Sequence, residues 1–213
     1  MGVVTVGGTT GAKQEVENNT LAARIALRPV DVGVLGSYSV SVKSGIMAAG
    51  LGAAAPILAF RGVAPISLIK RVRFIAQGLG TGFTAGATVF DMFVARAFTV
   101  QDTGGAAVTL TTNNAKLRTS HATCSALIQA SATATLTAGT RTLDANPLRT
   151  LLGDVPVTAF VQTQADDLMF DLKPGDWPLV AAASEGFVLQ ATVPATGTWT
   201  WAAMIDWDEL ASY

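Results

Sequence analysis

The sequence predicts an all-β fold: a single antiparallel β-sandwich, jelly-roll-like, with an extended N-terminal arm. Three observations predict it. The C-terminal stretch alternates apolar and polar side chains with a period of two. Roughly eight to ten strand-like runs succeed one another at about eight-to-twelve-residue intervals, with turn signals between them. At 213 residues the chain suits one undivided sandwich or barrel.

Residues 1–35 read as the arm and 36–213 as the sandwich body. The arm opens with a Gly/Thr-rich stretch, turns polar from Lys13 to Asn19, and then alternates loosely. A segment too short for its own core is either a frayed terminus or an arm that adds an edge strand to a sheet. Leu21, Ile25, Leu27 and Val30 need cover, which favours the arm. In the body, Ser37 to Lys43 alternates strictly, with serines on one face and Tyr38, Val40 and Val42 on the other. Gly45 to Pro56 reads as a Gly/Ala-rich loop and Ile57 to Arg61 as a short strand. Ile66 to Ala76 is a longer strand, with Leu68, Val72 and Phe74 facing one way and Arg71 and Arg73 the other. Thr88 to Phe98 is apolar on both faces and reads as a central strand. Asp91 is the lone acid in that run, and a structural ion pair with Arg71 or Arg73 is expected.

Ser125 to Leu136 reads as strand, and Arg141 to Gly153 as irregular with one helical turn around Pro147 to Leu152. Asp167 to Leu172 and Pro178 to Val180 are short strands flanking a Lys173–Asp176 turn. The last two runs carry the clearest pattern. Phe187 and Leu189 belong to the first. In the second, Trp199, Trp201, Ala203, Ile205 and Trp207 share one face, while Asp206 and Asp208 share the other. Pro194-Ala195-Thr196-Gly197 between them is turn chemistry. The expectation is an antiparallel core hairpin built on Phe187, Leu189, Trp199, Trp201 and Trp207.

Composition narrows the function classes. Half of the residues are hydrophobic and 14% are charged, with a mean hydropathy of +0.43. The most apolar stretch, Ser44 to Phe60, is made of Gly, Ala and Pro, unlike a spanning helix. No membrane partner is expected. Low surface charge suits either a chain that lives packed against copies of itself or other subunits, or an ordinary domain with many Ala and Thr. A net charge of −1 excludes a strongly basic nucleic-acid binder. The N-terminus lacks the basic start and apolar core of a signal peptide, so synthesis in a cytoplasm without export by that route is expected.

No catalytic, cofactor-binding or metal site is expected. His121 is the single histidine and Cys124 the single cysteine, so a Cys/His metal cluster cannot form. Ser120-His121 reads as a loop pair, because nucleophile and base come from distant segments. Gly7 to Lys13 lacks the Gly-Lys-Ser/Thr ending of a phosphate-binding loop. Asp166, Asp167, Asp171 and Asp176 cluster in sequence, as do Asp206, Asp208 and Glu209, and solvated acids are the expectation. Trp177, in a turn, is the tryptophan expected to be exposed.

The runs Gly36 to Val40, Gly45 to Leu51, Ile57 to Arg61, Asn113 to Ser120, Leu136 to Asp144 and Glu185 to Trp207 resemble a group of tailed-bacteriophage structural proteins. The similarity spans residue 36 to the end. The resemblance implies a non-enzymatic virion protein made in the host cytoplasm, most simply a capsid decoration (cement) protein. Its partners would be itself, as a homotrimer, and the major capsid protein or other virion subunits. The alternative is a tail or baseplate component, including a receptor- or glycan-binding module with Trp177 as the first contact. A glycan-active enzyme would instead need two carboxylates across a cleft, drawn from Asp166, Asp167, Asp171 and Asp176.

Overall fold

The computed structural model describes residues 4–7, 12–16, 23–24, 34–48, 50–51, 54–63, 66–79, 86–110, 115–153, 167–171 and 179–211. All regular structure among them is β, as the alternation predicts. The chain divides into two compact units, Met1–Gly33 and Val34–Tyr213. In the first, β1 (Val4–Gly7), β2 (Ala12–Val16) and β3 (Ala23–Arg24) form a small antiparallel sheet in the order β1-β2-β3. These strands pair with one another, so the unit is locally folded where a single extended edge strand was expected.

The second unit is a sandwich of two antiparallel sheets. Its strands are β4 (Val34–Lys43), β5 (Met47–Ala48), β6 (Ala55–Gly62), β7 (Ile66–Leu79), β8 (Thr88–Arg96), β9 (Ala106–Ala107) and β10 (Leu127–Ala130). They continue as β11 (Thr142–Leu143), β12 (Arg149–Gly153), β13 (Asp167–Asp171), β14 (Leu179–Ala181), β15 (Glu185–Thr192) and β16 (Thr198–Leu210). The first sheet runs β13-β7-β16-β4, with β14 on β7 and β5 on β16. The second runs β11-β8-β15-β6-β10-β9, with β12 also on β8.

β16 is the spine of the first sheet, and its alternation is complete: Trp199, Trp201, Ala203, Ile205 and Trp207 are buried while their neighbours are half-buried. The inner faces meet through aromatic rings. Phe74 of the first sheet lies 4.7 Å from Phe90 of the second, and Trp207 sits edge-on to Phe60 at 5.5 Å. Such contacts add about 0.5–1.5 kcal/mol each to the area they bury.

The expected hairpin between the last two long strands does not form. β15 hydrogen-bonds to β6 and β8 in one sheet, and β16 to β7 and β4 in the other. Pro194–Gly197 is therefore an arch that carries the chain across the core. The Pro194 carbonyl accepts from the Gly50 amide at 2.7 Å. The core set is unchanged by this: Phe187, Leu189, Trp199, Trp201 and Trp207 all lie in one buried cluster, but they face each other across it. Burial explains the difference. Residues 186–191 of β15 are buried on both faces, whereas β16 keeps one face partly open, so the two strands occupy different environments.

Three further expectations change. A bulge at Lys70, where Asp206 opposes Arg71 and Trp207 opposes Ile69, flips the inner set of β7. Ile69, and not Leu68, joins Val72 and Phe74 in the core. Only Leu127–Ala130 of the run from Ser125 to Leu136 is strand. In place of a helical turn near Pro147, Arg149–Gly153 is strand β12, because it completes a ladder along β8.

Gly186 marks the closest backbone approach in the second sheet, since a Cβ there would overlap the Phe60 carbonyl oxygen. Gly186→Ala is expected to destabilise the body by on the order of 3 kcal/mol, read as a lowered urea midpoint with unchanged slope.

Candidate assembly surface

The outer face of the second sheet has two parts. Over one, Phe98, Leu136 and Leu143 fold onto Ala59, Ala95 and Val188 and make a second, smaller apolar cluster. Beside it, the face of β8 and β12 carries large apolar side chains outward. Parity puts Val89, Asp91 and Phe93 on that face, because Thr88, Phe90 and Met92 point inward. Leu152 opposes Val89 and Thr150 opposes Asp91. Leu152 is 77% exposed and Leu148, whose amide bonds the Met92 carbonyl, is 46% exposed. The Thr150 hydroxyl donates to Asp91 at 2.5 Å, so the acid within this row is tied to its neighbour. An exposed apolar row rimmed by polar groups is the usual mark of a contact surface.

Asp91 does not pair with Arg71 or Arg73. Both arginines point outward from β7 in the first sheet, and Asp91 points outward from β8 in the second, so the sandwich lies between them. Arg71 instead meets Asp171 of β13 at 3.3 Å.

The groups with chemical potential serve the fold. Glu209 is 1% exposed, and its Oε1 accepts from the Ser125 amide (2.9 Å), the Ala126 amide (3.1 Å), the Ser125 hydroxyl (3.2 Å) and the Cys124 thiol (3.2 Å). Burial first, and then the Glu209 charge, push the Cys124 thiol far above its ordinary range, so it stays a protonated donor. His121 Nδ1 accepts the Ser37 amide at 3.0 Å, and the Tyr38 hydroxyl donates to the Ala122 carbonyl at 2.9 Å. Together these bonds pin residues 121–126 against β4 and the end of β16. Glu209 was expected among solvated acids, yet it has the same parity as Trp199 to Trp207, and that parity is the signal that places it inside. Glu209→Ala strands four donors and is expected to cost about 2–4 kcal/mol. Glu209→Gln, which keeps an acceptor, is expected to cost about half as much in thermal or urea unfolding.

A second buried anchor lies beside the smaller cluster, against Phe98. Asp102 and Arg141 form an ion pair with side-chain exposures of 0% and 4%. Asp102 also accepts the Gly139 amide at 2.9 Å, and the Arg141 guanidinium sits 5.3 Å above the Phe98 ring. Burial lowers the Arg141 pKa from its ordinary value. Sequence reasoning missed this pair because its members are thirty-nine positions apart in irregular segments.

Trp199, Trp201 and Trp207 are each at most 1% exposed, which removes them as a sugar-stacking platform. Leu21, Ile25, Leu27, Val30, Asp166, Asp176 and Trp177 lie outside the described residues. Asp208 pairs with Lys70 at 3.1 Å. Among the described residues there is no group of three or more metal-ligating side chains, and no helix long and apolar enough to cross a membrane. No protein-family model, curated protein or solved structure matches this chain.

Proposed function

We propose that this chain is a non-enzymatic structural subunit of a tailed-bacteriophage virion, most simply a capsid decoration protein that binds and stabilises the major capsid shell. The observation that carries the reading is the exposed Leu148 and Leu152 row beside Val89 and Phe93 on the outer face of the second sheet. The strand and turn sequences from residue 36 onward, similar to phage structural proteins, support it. So does the use of Glu209, His121, Cys124, Asp102 and Arg141 as structural anchors. The mechanism is additive burial. Each copy covers a seam between shell subunits, and symmetry multiplies a modest contact into a large gain for the particle. The body packs around a threefold axis, and residues 1–33 supply a second attachment.

The test is binding of the purified protein to capsids that lack it, followed by particle thermal disruption with and without it. Saturable binding with a raised disruption temperature is expected, and Leu148→Ser with Leu152→Ser should weaken binding at least ten-fold without unfolding the body. Absence of binding to heads would overturn the decoration reading and move the protein to the tail or baseplate.

A further inference from the structure

We propose that the layer over the second sheet is a strap that opens as one unit while the two-sheet sandwich stays folded. Its limbs are residues 97–105 and 133–141, and they bind each other. The Thr103 amide donates to the Thr137 carbonyl at 3.0 Å and the Thr137 amide to the Thr103 carbonyl at 2.8 Å. The Thr99 amide donates to the Thr140 carbonyl at 3.0 Å, and the Thr140 amide to the Val100 carbonyl at 3.1 Å. At Gly139 a Cβ would overlap the Val100 carbonyl oxygen, so the limbs touch backbone to backbone. The strap is internally cross-linked.

Its hold on the sandwich is of a different kind. The apolar cluster beneath it is separate from the main core and consists of Phe98 and Leu136 on Ala59, Ala95 and Val188, with Leu143 of β11 packed against it. The second limb is anchored at its two ends, where the Ser131 amide bonds the Ile57 carbonyl at 2.8 Å and Thr142–Leu143 pair with β8. Between these ends the remaining ties to the sheet are few and polar. Gln101 Nε2 donates to the Ala59 and Leu127 carbonyls at 3.3 Å, the Leu136 amide to the Pro56 carbonyl at 2.8 Å, and the Phe98 amide to the Ser184 carbonyl at 2.7 Å. The Asp102–Arg141 pair joins one limb to the other and latches both over the Phe98 ring. Where the first limb leaves β8, Ala97 has a φ of 48°, a conformation that costs a non-glycine residue energy and that opening would relieve. Side chains with few buried apolar partners, joined to the rest by a strained hinge, form the low-stability end of a fold. Opening would bare Ala59, Ala95 and Val188, each 0% exposed when the strap is closed.

Native-state hydrogen exchange on the full chain tests this, with two mild variants on either side of the divide. The strap reporters are the amides of Phe98 and Leu136, whose bonds to the Ser184 and Pro56 carbonyls break when the strap lifts as a unit, and the sandwich reporters are β16 amides. In the unmodified protein the strap amides should exchange faster than those of β16 and with a weaker urea dependence. Ile205→Val, which loosens the main core in the strap-open and strap-closed states alike, should speed β16 amides about five-fold and leave the strap amides unchanged. Leu136→Val should speed the strap amides roughly five-fold. If Ile205→Val speeds both sets by the same factor, or Leu136→Val leaves the strap amides unchanged, the strap does not open separately and the inference is overturned.

Discussion

Arg141→Met is expected to destabilise the sandwich unit by about 3–5 kcal/mol, because it leaves the Asp102 carboxylate buried without its countercharge. Against a total of about 5–15 kcal/mol for a domain, that is a large fraction. The companion variant decides the cause. Adding Asp102→Asn removes the stranded charge but keeps an acceptor for the Gly139 amide, which Asp102 holds at 2.9 Å. The double variant should recover most of the loss, since the attraction within a buried pair is largely offset by the desolvation of both ions. Urea unfolding of the two single variants and the double variant forms a cycle. A double variant no more stable than Arg141→Met alone would mean that the arginine acts by packing on Phe98 and not by charge.

Trp207→Ala should cost a similar amount, about 3–5 kcal/mol, through a cavity at the centre of the core. Trp207 is 0% exposed, stacks on Tyr38 at 5.3 Å, and meets Phe60 of the opposite sheet edge-on at 5.5 Å. Its loss therefore removes contacts within its own sheet and across the sandwich. Trp207→Phe should recover roughly half, because a smaller ring still spans part of the gap. The check is the urea midpoint at constant slope, with the near-ultraviolet circular dichroism retained in the Phe variant.

Much of the architecture was legible because a period of two reports directly on which side of a strand is dry. The β4 alternation around Tyr38 and Val42 and the β16 alternation from Trp199 to Trp207 both survive intact. The same rule also places Glu209 in the core. Its parity was visible, but a carboxylate is expected in water unless its partners are known, and those partners sit near Cys124, far away in sequence. The row at Leu148 and Leu152 was hidden for a related reason: Pro147 and the short, irregular run around it resemble a turn until β8 is there to pair with.

The alternation of side chains by itself determined that this is an all-β chain and which apolar residues of β4 and β16 are buried, since both follow from the local geometry of an extended backbone. Tertiary structure decided the rest. Whether β15 and β16 pair depends on which edges β6, β8, β7 and β4 already occupy, so the turn sequence Pro194–Gly197 reads equally well as a hairpin or as an arch. One extra residue at Lys70 exchanges Leu68 for Ile69 in the core. Asp91 and Arg71 are of opposite charge, yet the sandwich stands between them, while Asp102 and Arg141 meet because the strap folds back over the sheet. Pairing between distant segments is a property of the closed fold: the energy that joins them exists only after the intervening chain has been ordered.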